Sequence, residues 1–158
     1  MRWCQRLRAP LQSFDLPDLA ATKSLAERLV PYLRAGDVIA LHGGLGVGKT
    51  TFSRALICAL RGTETDVPSP TFTLVQVYDG PNFPIFHFDL YRLEDPREVF
   101  ELGWDDTHDG LSLIEWPDRA GPHLPAWRLD LTLEIMGDAR RLHLAAQGED
   151  WQTRLHDF

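Results

Sequence analysis

Residues Gly43-Gly44-Leu45-Gly46-Val47-Gly48-Lys49-Thr50 follow the pattern G-x-x-x-x-G-K-[ST], whose chemistry is the cradling of a nucleotide polyphosphate. Several backbone N–H groups must turn inward around such an anion, and that curvature needs dihedrals and close approaches that side chains obstruct. Glycines therefore fill the loop. Lys49 supplies a mobile positive charge for the β- and γ-phosphates, and the Thr50 hydroxyl is of the type that ligates Mg²⁺. Gly43, Gly44, Leu45, Gly46, Val47, Gly48, Lys49, Thr50 and the adjoining Thr51 are the candidate nucleotide-binding residues. A helix starting after the loop would aim its positive end at the anion.

The loop needs a strand before it and a helix after it, and both are legible. Asp37-Val38-Ile39-Ala40-Leu41-His42 is a short apolar run that reads as a buried strand. Phe52, Ala55, Leu56, Ala59 and Leu60 recur at helical spacing, and Gly62 stands where a helix C-cap belongs.

Hydrolysis or transfer of a phosphoryl group needs an acidic residue near the metal, at the end of a buried strand, and something to position the attacking group. Two acids close apolar runs in the required way, Asp89 after Ile85–Phe88 and Glu115 after Leu111–Ile114. Carboxylates at strand ends project into the crevice where open α/β sheets bind ligands. Other signatures are missing: no N-K-x-D to read guanine, no L-S-G-G-Q, no arginine-dense lid. The residues alone describe a small nucleotide hydrolase, a kinase of a small hydroxyl substrate, or a module that holds ATP without turning it over.

Around these residues the rest of the chain reads as follows. Residues 1–15 show no periodicity and are expected to be a mobile leader. From the N-cap candidate Asp18, the residues Ala21/Thr22, Leu25/Ala26, Leu29/Val30 and Leu33 form one apolar helical face, which Pro31 should end near Val30. The prolines of Val67-Pro68-Ser69-Pro70-Thr71 forbid a helix. Phe72–Tyr78 and Ile85–Phe88, split by Asp79-Gly80-Pro81-Asn82, read as a hairpin. Asp95-Pro96-Arg97-Glu98 starts a short helix that stops near Gly103. Leu129, Leu131, Leu133 and Ile135 alternate with polar residues, as in a half-exposed antiparallel strand that turns at Gly137-Asp138 into Arg141–Ala146. Residues 148–158 are expected to be a loose tail. The expected architecture is one α/β domain of the phosphate-loop type, its mixed, mainly parallel central sheet carrying antiparallel hairpins and flanked by helices.

Composition narrows the class. Acids outnumber bases, 23 against 16, for a net charge of −7, which disfavours autonomous nucleic-acid binding. No apolar run approaches the roughly 18 residues of a membrane span, and the arginine-bearing N-terminus lacks a signal peptide's apolar stretch. Cys4 and Cys58 have no metal-ligand spacing and read as free thiols of a reducing, cytoplasmic compartment. The six histidines form no zinc pattern.

Four strings, L-H-G-G-L-G-V-G-K-T-T-F, V-P-S-P-T-F-T-L-V, F-H-F-D-L-Y-R-L and I-E-W-P, taken in this order, resemble the bacterial TsaE family, the ATPase of tRNA threonylcarbamoyladenosine biosynthesis. The likeness runs from about Thr22 to about Leu144. It implies ATP and Mg²⁺ as ligands, with Lys49 and Thr50 as phosphate and magnesium residues and Glu115 as a second magnesium ligand. Asp89 matches an acid needed for activity, acting through water or metal. Thr22 matches a threonine near the nucleotide, and Ser69-Pro70-Thr71 a switch-like segment near the γ-phosphate. Trp116 is either structural or a partner contact, and Tyr91-Arg92 either a partner-facing surface or, for Arg92, a pairing with Asp95. Where the family usually has Asp, this loop has Gly44. The family does not transfer the threonylcarbamoyl group itself. It is similar to a motor or reset subunit of the TsaD–TsaB complex, weak alone, with tRNA held by the others. The implied free protein is a monomer away from the membrane. The chain shows no water-positioning glutamine next to the loop and no evident internal arginine finger; Arg92 and Arg141 are candidates, but nothing in the spacing fixes either.

Overall fold

The computed structural model describes residues 12–158; Cys4 and most of the expected leader lie outside them. Strands β1 (Gln12–Leu16), β2 (Val38–His42), β3 (Val75–Asp79), β4 (Pro84–Asp89), β5 (Leu111–Glu115), β6 (Arg128–Met136) and β7 (Ala139–Gln147) form one sheet in the order β1-β7-β6-β2-β5-β4-β3. The central β6, β2, β5 and β4 run parallel, and β1–β7, β6–β7 and β3–β4 are antiparallel. This is the mixed, centrally parallel α/β sheet expected, with β2 in the middle. Being covered on both faces, β2 and β5 are apolar nearly throughout, the usual mark of buried parallel strands.

Helices α1 (Leu19–Leu29), α2 (Lys49–Arg61) and α3 (Glu149–Arg154) pack on one face. Leu25, Ala26 and Leu29 of α1 and Phe52, Leu56 and Ile57 of α2 share a core with Ile39, Leu41, Leu113 and Leu131. Asp18 caps α1 by accepting from the Ala21 N–H at 2.9 Å, and the Pro31 segment tightens into a 3-10 turn, Val30–Tyr32. The other face, reached by the opposite parity of the same strands (Val38, Phe88, Ile114), is covered by Leu90, Leu93, Val99 and Ala120. Those residues come from the loop after β4 and from 3-10 helices Pro96–Leu102 and Pro117–His123.

Four expectations need correction, the last of them the loose tail. Residues 12–15 belong not to a leader but to β1, which pairs with β7 from Gln12↔Leu144 to Leu16↔Arg140. Only Phe14 and Leu16 point inward, too few for a period to show. β6 is antiparallel to β7 but parallel to β2, because the chain crosses the sheet before entering it. The expected hairpin is shorter: β3 starts at Val75, and Phe72 stands exposed in the preceding loop.

The expected loose tail is a helix and a latch. Trp151 is buried, Phe158 meets the rings of Phe14 and Tyr32 edge-on, and Arg154 makes two 2.8 Å bonds to the Asp37 carboxylate at the entry to β2. Both partners of this ion pair are nearly sealed from solvent, at 7% and 9% side-chain exposure. Removing one member of such a pair costs about 3–5 kcal/mol. Asp37 keeps a bond from the Arg34 N–H, so Arg154→Ala should fall near the low end. At about 2–4 °C per kcal/mol for a domain of this size, a thermal melt should show Tm falling by roughly 6–12 °C; a shift under 2 °C would mean that the tail only rests on the domain.

Candidate active site

The loop leaves β2 at His42 and enters α2 at Lys49, so the first-turn N–H groups of α2, which have no partner within the helix, face the loop's concavity. The Lys49 ammonium turns back and donates to the carbonyls of Gly43 at 2.5 Å and Gly44 at 2.8 Å. It lies 3.9 Å from the centre of the Trp116 ring, within cation–π range. Burial pulls the Lys49 pKa below the ordinary lysine value, and the Glu115 and Asp89 carboxylates oppose that shift. Two further loop carbonyls accept from one guanidinium: Arg140 of β7 donates to Val47 O at 2.9 Å and Gly46 O at 3.5 Å. The guanidinium thereby ties the loop to β7 through the peptides of Gly46 and Val47.

Opposite the loop stand the two strand-end acids, neighbours in the β4–β5 register (Asp89↔Glu115) and on the α2 face of the sheet. Glu115 accepts from the Thr50 hydroxyl on Oε1 at 2.8 Å and meets His87 Nε2 with Oε2 at 2.5 Å. Asp89 accepts from Ser69 at 3.2 Å and Thr71 at 3.0 Å on Oδ2, and from the Tyr91 N–H at 3.0 Å on Oδ1. The Ser69-Pro70-Thr71 segment is closed onto β4 by Leu74, in the left-handed region at φ 68°, whose carbonyl accepts from Asp89 N–H. Trp116 is left-handed as well, at φ 57°. That places its ring between Lys49 and Tyr91, 4.9 Å from the latter.

These groups surround one cleft of ≈ 320 Å³, lined by Leu45–Thr51, Ser69, Thr71, Asp89, Tyr91, Glu115 and Trp116. Cation and carboxylates face each other across it without pairing: each carboxylate is bound by hydroxyls, imidazole or backbone N–H. A second cleft of ≈ 240 Å³ shares Gly46, Val47, Gly48 and Thr51 and is walled by Leu16, Pro17, Leu19 and Leu133, with Asp18, Thr22, Asp138 and Arg140 as its polar groups.

Every site residue expected from the sequence is thus brought to the loop. Leu45 crests it, 70% exposed. Thr22 is buried beside Gly46 and Thr51, in the second cleft. Gly43 and Gly44 act through their carbonyls. Neither arginine-finger candidate is brought in, in line with the expectation of no evident internal finger: Arg141 pairs with Asp15 at 2.9 Å, and Arg92 stacks on Phe72 instead of pairing with Asp95, which holds Arg97. Sequence reasoning misses His87 and Arg140. The available signal for His87 is that it is the one polar residue at an inward position of β4 between Ile85 and Asp89. Arg140 carries no local signal, because β7 meets the loop only through tertiary structure.

The family model described as "Threonylcarbamoyl adenosine biosynthesis protein TsaE" matches residues 16–142, a span that takes in both clefts. The chain belongs to the TsaE family. Curated TsaE proteins similar to it include those of Rickettsia felis, 42% identical over 77% of this chain and 71% of that protein, and Bacillus subtilis, 38% identical over 76% and 75%. The protein from Haemophilus influenzae is 39% identical over 79% and 80%. All three bear the name "tRNA threonylcarbamoyladenosine biosynthesis protein TsaE". Among solved structures, Bacillus subtilis YdiB superposes with a TM-score of 0.76 at 28% identity, over 94% of this chain and 93% of that one.

Two adjacent glycines of this TsaE loop differ in kind. A Cβ on Gly43, at φ 140°, would lie 2.7 Å from Val47 Cγ1 and 2.8 Å from the Leu133 carbonyl. A Cβ on Gly44 would meet nothing within 4 Å, so an Asp at this position has room. Gly43→Ala should lose on the order of 1–3 kcal/mol of stability together with nucleotide affinity. Gly44→Asp should change Tm by under 2 °C and affinity by less than threefold. Melting curves and calorimetry on the two variants check this, and equal damage from both would contradict the loop geometry.

Proposed function

We propose that this chain binds Mg-ATP and hydrolyses it as the ATPase subunit of the machinery that forms threonylcarbamoyladenosine in tRNA, supporting repeated turnover of the transferase rather than performing the transfer. What carries the reading is the single cleft on which Lys49, Thr50, Asp89 and Glu115 converge from the loop, α2, β4 and β5, in a chain whose relatives bear that pathway's name.

The donor set fits a magnesium nucleotide. A hydroxyl and a carboxylate already touching each other, Thr50 and Glu115, are hard oxygen ligands of the kind Mg²⁺ takes in ones and twos, leaving its other positions to phosphate and water. When bound there, the metal supplies positive charge against the phosphate oxygens. The chain's own residues do the rest. Lys49 leaves the Gly43 and Gly44 carbonyls for the phosphates. Arg140 ties the loop to β7. Asp89, its lone pairs committed to Ser69, Thr71 and the Tyr91 N–H, holds the two hydroxyls of the Ser69–Thr71 segment at the far wall of the cleft, where an attacking water must be oriented. The second cleft, with its apolar walls and its Asp18, Asp138 and Thr22, receives the nucleoside. We assign the TsaD–TsaB pair as the partner that docks over the open side, where Phe72, Tyr91 and Arg92 stand exposed. Phosphoryl transfer to water depends on positioned charge, and no arginine of the described residues projects into the cleft opposite Lys49, so activity alone is weak.

Incubation with γ-labelled ATP, with and without TsaD–TsaB, tests this against a kinase of a small hydroxyl substrate and against passive ATP holding. Free labelled phosphate, faster with the partners, is the expected result. A labelled organic product, or ATP bound and intact, would sink the hydrolase reading.

A further inference from the structure

We propose that His87 is the positioning residue that aims the Glu115 carboxylate at the metal position, an inference that rests on the reading of Thr50 and Glu115 given above. The imidazole has no exposure to solvent, and its Nδ1 has no partner in the structure. Its one hydrogen bond is from Nε2 to Glu115 Oε2, at 2.5 Å. With a single partner that is a carboxylate, the ring proton sits on Nε2 and donates.

Glu115 is itself almost completely buried and has two attachments, Thr50 on one oxygen and His87 on the other. The two are unequal. The Thr50 hydroxyl would offer an oxygen lone pair to the metal and could keep donating its proton to Oε1, so Thr50 and Oε1 would both lie on the metal side. His87 lies on β4, one strand from Glu115 and on the same sheet face, and no ligand competes for its Nε2. It would therefore hold Oε2 away from the metal side and leave Oε1 directed at the metal position. Partners that orient a ligating carboxylate typically change metal affinity by 10–100-fold when removed. An imidazole serving only as core filler would be out of place here, where the neighbouring inward positions are Ile85, Leu111 and Leu113 and a polar ring is favourable only for the bond it makes.

The test is Mn²⁺ affinity, by electron paramagnetic resonance, for the full chain saturated with a non-hydrolysable ATP analogue, alongside analogue affinity in EDTA and thermal melting. His87→Phe keeps a ring and removes the donor; His87→Gln returns an N–H donor at the same reach. The expected result is Mn²⁺ affinity 10–100-fold weaker in His87→Phe, metal-free analogue affinity within threefold of wild type, and recovery of most of the loss in His87→Gln. Unchanged Mn²⁺ affinity in a folded His87→Phe, or His87→Gln no better than His87→Phe, overturns the inference and leaves His87 as packing. Should His87→Phe not fold, His87→Gln and His87→Leu give the same comparison: equal Mn²⁺ affinities in the two overturn it. A wild-type chain that binds no Mn²⁺ with the analogue would instead remove the function proposed above, so the two failures are distinguishable.

Discussion

Asp89→Asn is expected to bind Mg-ATP within about threefold of wild type and to release phosphate, with TsaD–TsaB present, at least roughly 10²-fold more slowly, the scale of loss that a small misplacement of reacting groups produces. The reason lies in what Asp89 holds. Its Oδ2 accepts from both Ser69 and Thr71, and its Oδ1 fixes the Tyr91 N–H. An amide in its place keeps the size and offers one oxygen and one NH₂; the Tyr91 N–H can only donate, so it takes the oxygen and the NH₂ faces the two hydroxyls. The NH₂ then donates to the Ser69 and Thr71 oxygens, their O–H protons are redirected, and the far wall of the cleft loses its hydrogen-bond orientation. On the proposed reading nucleotide binding leans on the loop and Lys49 and should be spared, so kcat should fall with little change in affinity, the mark of an interaction used in the transition state. Steady-state phosphate release and calorimetry together check this. A normal rate would reduce Asp89 to a strand-end acid.

Lys49→Ala should act on the opposite quantity. It removes the cation that faces the cleft from the loop, and a charge-assisted contact of this kind is worth on the order of 1.5–3 kcal/mol, roughly 10–150-fold in ATP affinity. It also releases the Gly43 and Gly44 carbonyls that the ammonium holds, so the loop itself loosens and the larger figure is expected. Calorimetric titration with Mg-ATP measures the loss. Affinity unchanged from wild type would mean that the glycine-rich turn binds nothing.

The contrast between Asp89 and Arg140 explains what is legible in the chain. Lys49 and Thr50 can be picked out because they close a glycine-rich loop motif, and Asp89 and Glu115 because each ends an apolar run that marks a buried strand. β2 and α2 are equally plain, because a buried parallel strand and a three-turn amphipathic helix carry many apolar positions. β1 is not, since two inward side chains make no pattern. Nor is α3, a helix of six residues held by Trp151 and by an ion pair to Asp37, more than a hundred residues away in the chain. His87 is hidden for a related reason: its role lies on a neighbouring strand, across a pairing that only the sheet order supplies. Arg92 and Arg141 illustrate the converse, since a residue type that could serve a site says nothing about which way the chain presents it.

Whether ATP hydrolysis by this chain sustains repeated rounds of tRNA modification is measured most directly as threonylcarbamoyladenosine formed per transferase over time. The reconstitution contains TsaD, TsaB, tRNA and the threonylcarbamoyl donor, with wild-type chain, with Asp89→Asn, or with neither. Product should rise well past one equivalent per transferase with the wild-type chain and stall near one with Asp89→Asn or with no added chain. Equal multi-turnover yield in all three would contradict the proposed role.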